Sequence, residues 1–270
     1  MALLILILVV STVYIFAAKI WWFPTSITTL GGEIDRQFNL TLYITGIVFV
    51  LSQLGLAWAV WRYRDRGQRA TFSRGNNTFE VLWTVATLVM FVGLGVLAKN
   101  AWAQVHFHEA SPGAIPIEVV AQQFAWNFHY PGPDAVMGRT APEDVSASTG
   151  NPVGLDDKDP AGKDDIVVPI LVVPVNHEIN LILKSQDVIH SFYIRELRLK
   201  QDLVPGMTIP IHFQPNLIGE YELACAELCG LGHYKMHSCM QVVSDEDYKA
   251  WLAGGGQSQQ RGDMKIGECQ

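Results

Sequence analysis

Charge is scarce in this chain. Only 17% of its 270 residues are Asp, Glu, Lys or Arg, against about a quarter in an ordinary soluble domain. There is no basic excess either: 19 Lys and Arg stand against 26 Asp and Glu, a net charge of −7 with a pI near 5.6. That balance excludes a nucleic-acid binder and leaves room for a cationic partner. No Cys-x-x-Cys-His occurs, so the chain attaches no ordinary c-type haem. Residues 40–61 and 81–98 contain no charge at all. No amphipathic segment of comparable length exists to cover them, which excludes two buried core helices. A basic n-region and a small-residue cleavage site are also missing from the apolar run at 2–18, so it does not read as a secretory signal.

What is present follows from those gaps. A hydrophobic content of 49% and a mean hydropathy of +0.19 are too high for a soluble domain, and the apolar residues are concentrated in the first 102. Residues 40–61 and 81–98 are each long enough to span a bilayer, with Trp58, Trp61, Trp83 and Trp102 near their ends as interfacial aromatics. The connecting loop carries Arg62, Arg64, Arg66, Arg69 and Arg74 against Asp65, whereas the opposite flank has Glu33 and Asp35 against Arg36. The positive-inside rule puts the arginine loop in the cytoplasm and residues 103–270 outside. Residues 1–24 are expected to add a further membrane helix that enters from the cytoplasm.

Beyond Trp102 the pattern changes to short β-like runs separated by Pro, Gly and Asp. Strands are expected over 115–121, 124–130, 166–173, 178–183, 188–194, 208–213, 220–224 and 238–243, forming an antiparallel sandwich or barrel. A Gly/Pro/Asp-rich insertion at 131–165 reads as a surface loop. Ser244 is placed to cap a short helix to Leu252, with Asp245, Glu246 and Asp247 in its first turn. The Gly/Gln-rich segment 255–270 reads as a flexible tail, disordered or held by another chain.

The chemistry is concentrated in Cys225-Ala-Glu-Leu-Cys229-Gly-Leu-Gly-His233-Tyr-Lys-Met236. Thiolate, imidazole and thioether are soft or borderline ligands, the set that selects copper. One Cys, two His and an axial Met would make a mononuclear blue-copper site. Two thiolates four residues apart can instead bridge a pair of coppers, leaving one terminal His for each metal. His233 is one, and His190, in Val188-Ile189-His190-Ser191-Phe192, is the best candidate for the other. A disulfide between Cys225 and Cys229 is a rival reading, as is structural zinc, which rarely takes Met and usually has tighter spacings. His237 is a rival imidazole, expected to point away from Met236 if a strand begins there. Cys239, on an expected strand, reads as a small buried apolar residue, and Cys269 has no reading.

The loop resembles the CuA motif of subunit II of haem–copper cytochrome c oxidases, Cys-x-Glu-x-Cys-Gly-x-x-His-x-x-Met. Further segments are similar to that family in the same order: Gly75-Asn76 with Glu80-Val81-Leu82-Trp83-Thr84, then Gln123-Phe124-Ala125-Trp126, Asp187-Val188-Ile189-His190-Ser191 and Lys200-Gln201-Asp202-Leu203-Val204-Pro205-Gly206. The resemblance covers roughly residues 30–254. It implies a helical membrane anchor over 25–102, extended by the helix in 1–24, and an all-β cupredoxin-like Greek-key barrel over 103–254. His190, Cys225, Cys229, His233 and Met236 then bind a dinuclear CuA centre, together with the backbone carbonyl of Glu227. The Glu227 carboxylate binds a Mg2+ or Mn2+ ion at the junction with the catalytic subunit, and Glu80 sits at the mouth of a proton pathway. Asp202 lies on the face that receives the electron donor.

The resemblance further implies a bacterial inner-membrane location with the copper domain on the periplasmic side. The implied partners are the catalytic subunit I, further oxidase subunits and a soluble or membrane-bound cytochrome c. The implied role is electron entry to a terminal oxidase that reduces oxygen and translocates protons. Three departures stand out. Phe124 occupies a position that is commonly the donor-facing Trp, while Trp126 is retained. Met207 stands where Arg is frequent, and a Pro usual after the Trp83-Thr84 pair is missing. The CuA subunit of a nitric oxide reductase remains an alternative, because that choice lies in the catalytic subunit. A quinol oxidase subunit would lack the Cys and His ligands, and a free-standing copper carrier would not need Glu80 or the membrane runs.

Overall fold

The computed structural model describes residues 1–270 apart from 68, 70, 71, 73, 147, 262 and 270, and only the backbone of 100, 105 and 261. Those parts of the arginine loop, the insertion and the tail lie outside the described residues. Contacts divide the chain into two units, one of residues 1–23 and 34–102, the other of residues 24–33 and 103–270.

The first unit is helical: α1 (Ala2–Ala17), α2 (Thr29–Arg62, whose first residues belong to the other unit) and α3 (Asn77–His106, whose last residues do). Both long helices extend beyond their charge-free runs, because the flanking polar residues continue the helical hydrogen bonding. The apolar windows of α2 and α3 are 6% and 0% buried within the chain. Helices this apolar and this bare are not the core of a soluble protein, and both are long enough to cross a membrane. The third span expected in residues 1–24 does not meet that measure. With 16 residues, α1 is about 24 Å long, short of the roughly 30 Å hydrocarbon core.

The second unit is a sandwich of two five-stranded sheets. One has the order β3-β2-β1-β5-β8, from β1 (Ile115–Gln122), β2 (Ala125–Tyr130), β3 (Ile166–Val168), β5 (Ile179–Ser185) and β8 (Ile209–Phe213). The other has the order β4-β10-β9-β6-β7, from β4 (Leu171–Pro174), β6 (His190–Ile194), β7 (Leu199–Leu203), β9 (Gly219–Cys225) and β10 (His237–Val243). Neighbours are antiparallel except β1 with β5 and β4 with β10. The core lies between the sheets. Ile179, Leu181 and Leu183 point into it while Asn180, Ile182 and Lys184 do not, the two-residue alternation of a strand with one buried face. Phe128, Phe192, Ile194, Leu223 and Met240 meet them from the other elements.

Four expectations are corrected here. The run 166–173 is two strands in different sheets, because Pro169 cannot donate to a ladder and the chain changes sheet there. β7 was not expected: Lys200-Gln201-Asp202 is too polar to read as a strand, but it forms an edge beside β6. The segment after Gly254 is not a loose tail. It forms a hairpin of β11 (Gln259–Arg261) and β12 (Met264–Ile266), with Ile266 buried. Cys239 is buried as expected but is no isolated apolar residue, since it forms a disulfide with Cys269. Gln241 completes this clasp: its Nε2 donates to the carbonyls of Lys265 and Glu268 at 3.0 and 2.9 Å, and its Oε1 accepts from Gly267 N–H at 2.9 Å. The clasp covers the outer face of β10, so that strand is buried on both faces.

The short helix α4 (Asp245–Ala253) starts as expected, with Ser244 Oγ accepting from Asp247 N–H. The insertion is a loop tied down by its own hydrogen bonds. Asn151 Nδ2 donates to the carbonyls of Asp144 and Leu155, and its Oδ1 accepts from Leu155 N–H. The insertion also supplies Asp165 and Thr140 to a buried ionic cluster with Glu118, His129 and Lys184.

Candidate metal centre

β9 and β10 pair antiparallel, with Ala224 opposite His237, so residues 226–236 form the connection between two neighbouring strands. Its neck is closed by Cys225 N–H donating to the Met236 carbonyl at 3.0 Å. β6 lies on the other side of β9, with Phe192 opposite Cys225, and Ala226 N–H donates to the Ser191 carbonyl at 3.0 Å. The sheet therefore brings His190 to the loop although 34 residues separate it from Cys225. A single 3-10 turn at His233–Lys235 returns the loop so that His233 faces Cys229.

The donors converge. Cys225 Sγ lies 3.9 Å from His190 Nδ1 and 3.8 Å from Cys229 Sγ. Cys229 Sγ lies 3.6 Å from His233 Nδ1 and 3.8 Å from Met236 Sδ. The Glu227 carbonyl is 3.2 Å from Cys225 Sγ. His190, Cys225, Cys229 and Met236 are buried. Both cysteines are free thiols, which removes the disulfide reading, and His237 is exposed at the start of β10. Sulfurs 3.8 Å apart can both reach a metal at a bond length of about 2.3 Å, so the residues present fit a soft metal. Two His and two Cys alone would also suit zinc. Met236 and the Glu227 carbonyl enlarge the set beyond zinc's four positions.

Burial pushes both thiols up, but at Cys225 hydrogen bonding to His190 and contact with backbone groups outweigh it and bring the thiol down to about 6. At Cys229 burial and the neighbouring Cys225 thiolate act together and hold the thiol up at about 11. A metal ion that binds both sulfurs must displace any proton they hold.

Asp187, to which the sequence reading assigned no role, orients His190. The imidazole Nε2–H donates to Asp187 Oδ1 at 2.8 Å, which fixes the tautomer and turns the Nδ1 lone pair toward Cys225. A carboxylate three residues before a ligand histidine was the available signal, in Asp187-Val188-Ile189-His190. Gln123 Nε2 donates to the Cys229 carbonyl at 2.5 Å.

Phe124 and Trp126, which the family resemblance implies as candidates for electron entry from the donor, separate. Phe124 is 40% exposed, and its ring lies against the loop: a Cβ on Gly232 would come within 2.4 Å of Phe124 Cδ2. Trp126 is 2% exposed and packs edge-on against Phe192, with ring centroids 6.1 Å apart. Its ring is 6.5 Å from that of His190. Asp202, opposite Ser191 on β7, accepts from Lys200 Nζ at 2.9 Å and from Ser191 Oγ at 2.7 Å. These bonds hold its carboxyl below the usual range, and Lys200 offsets its charge. Glu80 is exposed in the first turn of α3, in the helical unit, where Asn76 Oδ1 accepts from Thr78 N–H.

Residues 157–244 match the family model described as cytochrome c oxidase subunit II, periplasmic domain. The alternative cytochrome c oxidase subunit 2 of Bradyrhizobium diazoefficiens is 35% identical over 257 residues, covering 93% of this chain and 90% of the relative. Cytochrome c oxidase subunit 2 of Cereibacter sphaeroides is 28% identical, covering 85% of this chain and 78% of the relative. Among solved structures, the periplasmic domain of subunit II of cytochrome oxidase from Bradyrhizobium japonicum is 25% identical, with a TM-score of 0.39, over 55% of this chain and 95% of that one. A relative of this identity, matched along nearly its whole length, extends the likeness through the helical unit as well as the sandwich, and the chain belongs to the cytochrome c oxidase subunit II family.

Proposed function

We propose that this chain is the electron-entry subunit of a respiratory terminal oxidase, taking electrons from a cytochrome c at a dinuclear copper centre and passing them to haem in the catalytic subunit. The observation that carries the reading is the pairing of donors: each buried sulfur has its own imidazole, His190 for Cys225 and His233 for Cys229, and the sulfurs face each other at 3.8 Å. That donor count would suit two metals rather than one. Bound there, a copper pair supplies one-electron storage with little change in its ligands. Met236 and the Glu227 carbonyl would be its weaker donors, and Asp187 keeps the His190 lone pair aimed inward. The nonpolar packing of Trp126 and Phe192 behind His190 excludes water from the inner side.

Phe124 takes the donor-facing position, because it is the ring that joins solvent to the loop. Asp202 belongs to the acidic docking face, with its charge shared by Lys200. The exposed Glu227 side chain is suited to hold Mg2+ or Mn2+ jointly with the catalytic subunit, and Glu80 to gather protons at a pathway mouth. α2 and α3 anchor the chain in a bacterial inner membrane, and the sandwich faces the periplasm.

Metal analysis and electron paramagnetic resonance of the full chain test the reading. The expected result is two coppers per chain and one unpaired electron shared by two copper nuclei. Cys225→Ser and Cys229→Ser each abolish that signal, while Met236→Leu keeps the copper and shifts its potential, since an axial thioether tunes more than it holds. A single-copper spectrum, or stoichiometric zinc without copper uptake, overturns it.

A further inference from the structure

The turn Gln123-Phe124, between β1 and β2, touches both segments that carry metal ligands. Gln123 N–H donates to Asp187 Oδ2 at 2.7 Å, and Asp187 Oδ1 accepts from His190 at 2.8 Å. On its other side Gln123 Nε2 donates to the Cys229 carbonyl at 2.5 Å. Phe124 then closes over the same loop. A Cβ on Gly230 would lie 2.8 Å from Gln123 Nε2 and 3.1 Å from Phe124 Cζ, and one on Gly232 would lie 2.4 Å from Phe124 Cδ2. A side chain at either glycine would displace the Gln123 or Phe124 side chain.

The middle of the metal loop depends on that contact. Cys225 and Ala226 are held by backbone bonds at the neck, and His233, Lys235 and Met236 bond within their own turn. Among the described residues, the backbone of 227–232 is tied to strands or turns outside the loop at two carbonyls: Glu227, next to the neck, faces Cys225 Sγ at 3.2 Å, and Cys229, at the middle of the loop, accepts from Gln123. Cys229 is the thiol with most to lose, since its Sγ faces Cys225, His233 and Met236 at once.

We propose that Gln123 is a positioning residue, which links the His190 segment to the Cys229 segment and holds the two ligand sets in register before any metal binds. The backbone N–H of Gln123 sets the Asp187–His190 side and its carboxamide sets the Cys229 side, so one residue fixes the spacing between two donors that lie far apart in sequence. Phe124 and the two glycines complete the clamp by steric closure. A loop held in place in this way pays its ordering entropy on folding rather than on metal uptake.

This inference rests on the metal-centre reading above, and the test keeps the two apart. Full-length wild-type chain, Gln123→Met (similar length, no donor) and Gln123→Ala are compared, first metal-free with reduced thiols and then loaded with copper. In the metal-free chains, amide hydrogen exchange in 226–235 rises roughly threefold to tenfold in both variants, the value of one lost hydrogen bond, while exchange in β5 and β10 stays at the wild-type rate. In the loaded chains the copper content is retained and the hyperfine pattern and midpoint potential shift. Gly232→Ala, which pushes Phe124 off the loop, gives the same signature through a separate contact. Wild-type exchange in 226–235 together with an unchanged copper spectrum in Gln123→Met overturns the proposal. If wild type itself shows no paired-copper spectrum, the metal-centre reading fails, and the exchange measurement alone decides whether the clamp exists.

Discussion

The chain's most heavily loaded buried residue away from the metal loop is His129. Its Nδ1 lies 2.9 Å from Glu118 Oε2 and its Nε2 2.5 Å from Asp165 Oδ2. Lys184 pairs with the same Glu118, and Thr140 bonds to both. An imidazole that meets a carboxylate at each nitrogen donates to both only when protonated. Burial pulls the His129 pKa down, but the bonds to Glu118 and Asp165 outweigh it and leave it raised. At Glu118 burial pushes upward, but His129 and Lys184 outweigh it and leave the carboxyl lowered. The His129 contribution is therefore full below the ordinary histidine range and lost as pH rises through its raised value. The Glu118 contribution is full above the ordinary carboxylate range and lost as pH falls through its lowered value. Denaturant titrations across pH should show a stability plateau between those limits, with a decline as pH rises past the ordinary histidine range that His129→Gln removes. His129→Ala leaves two buried carboxylates short of a cation and should cost about 3–5 kcal/mol. A variant with wild-type stability and an unchanged pH profile would show that the cluster contributes nothing to holding the insertion.

At the scale of elements, the C-terminal clasp changes the account of β10. This strand leaves the metal loop at Met236, runs through Cys239 and Gln241, and is held from outside by residues that read as a polar tail. The Cys239–Cys269 bridge closes a separation of 30 residues, which in the chain-entropy account is worth about 3–4 kcal/mol. Cys269→Ser should lower stability by about 2–4 kcal/mol and raise hydrogen exchange in 256–268 and β10, with copper stoichiometry unchanged. Exchange in β10 that stays at the wild-type rate would mean that Gln241 and Ile266 hold the hairpin without the bridge. The bridge also occupies the two cysteines outside the loop, which leaves Cys225 and Cys229 as the free pair. β7 illustrates the converse case. Its polar composition concealed it, because an edge strand needs a pairing partner but no buried run on both faces.

Across the whole molecule the charge is segregated. Residues 103–270 hold 22 acidic and 11 basic side chains, a net −11, against 4 and 8 in residues 1–102, a net +4. A strongly acidic outer domain attracts a basic donor over a distance set by screening, about 8 Å at 0.15 M salt. Stopped-flow association with a basic cytochrome c should slow as salt rises. Asp202→Asn should lower the rate and flatten that dependence, whereas Lys200→Met, which unmasks Asp202, should raise the rate. Phe124→Ala should slow transfer inside the bound complex, while Trp126→Ala, a buried ring, should chiefly cost about 3–5 kcal/mol of stability. Rates indifferent to salt and to both charge changes would place docking on an apolar surface instead.

Membrane runs, strand alternation, the Ser244 cap and the donor set of the Cys225–Met236 loop were all legible in the linear chain, because each depends on composition or on spacing within a dozen residues. His190 was legible as a candidate only through its apolar strand and the family resemblance. Asp187, three residues before it, was signalled locally; the long-range partners were not legible: Gln123 joining it to Cys229, and Ser191 bonding to Ala226 across β6 and β9. The same holds for the Cys239–Cys269 bridge, the clasp on Gln241 and the His129 cluster. Each joins residues roughly 11 to 106 positions apart, and its energy depends on which faces the two sheets bury against each other. Local sequence carries the propensity of each element and the chemistry of each side chain. Long-range pairing is set by the packing of all the strands together, and it was the packed sandwich that turned a loop with four soft donors into a convergent centre.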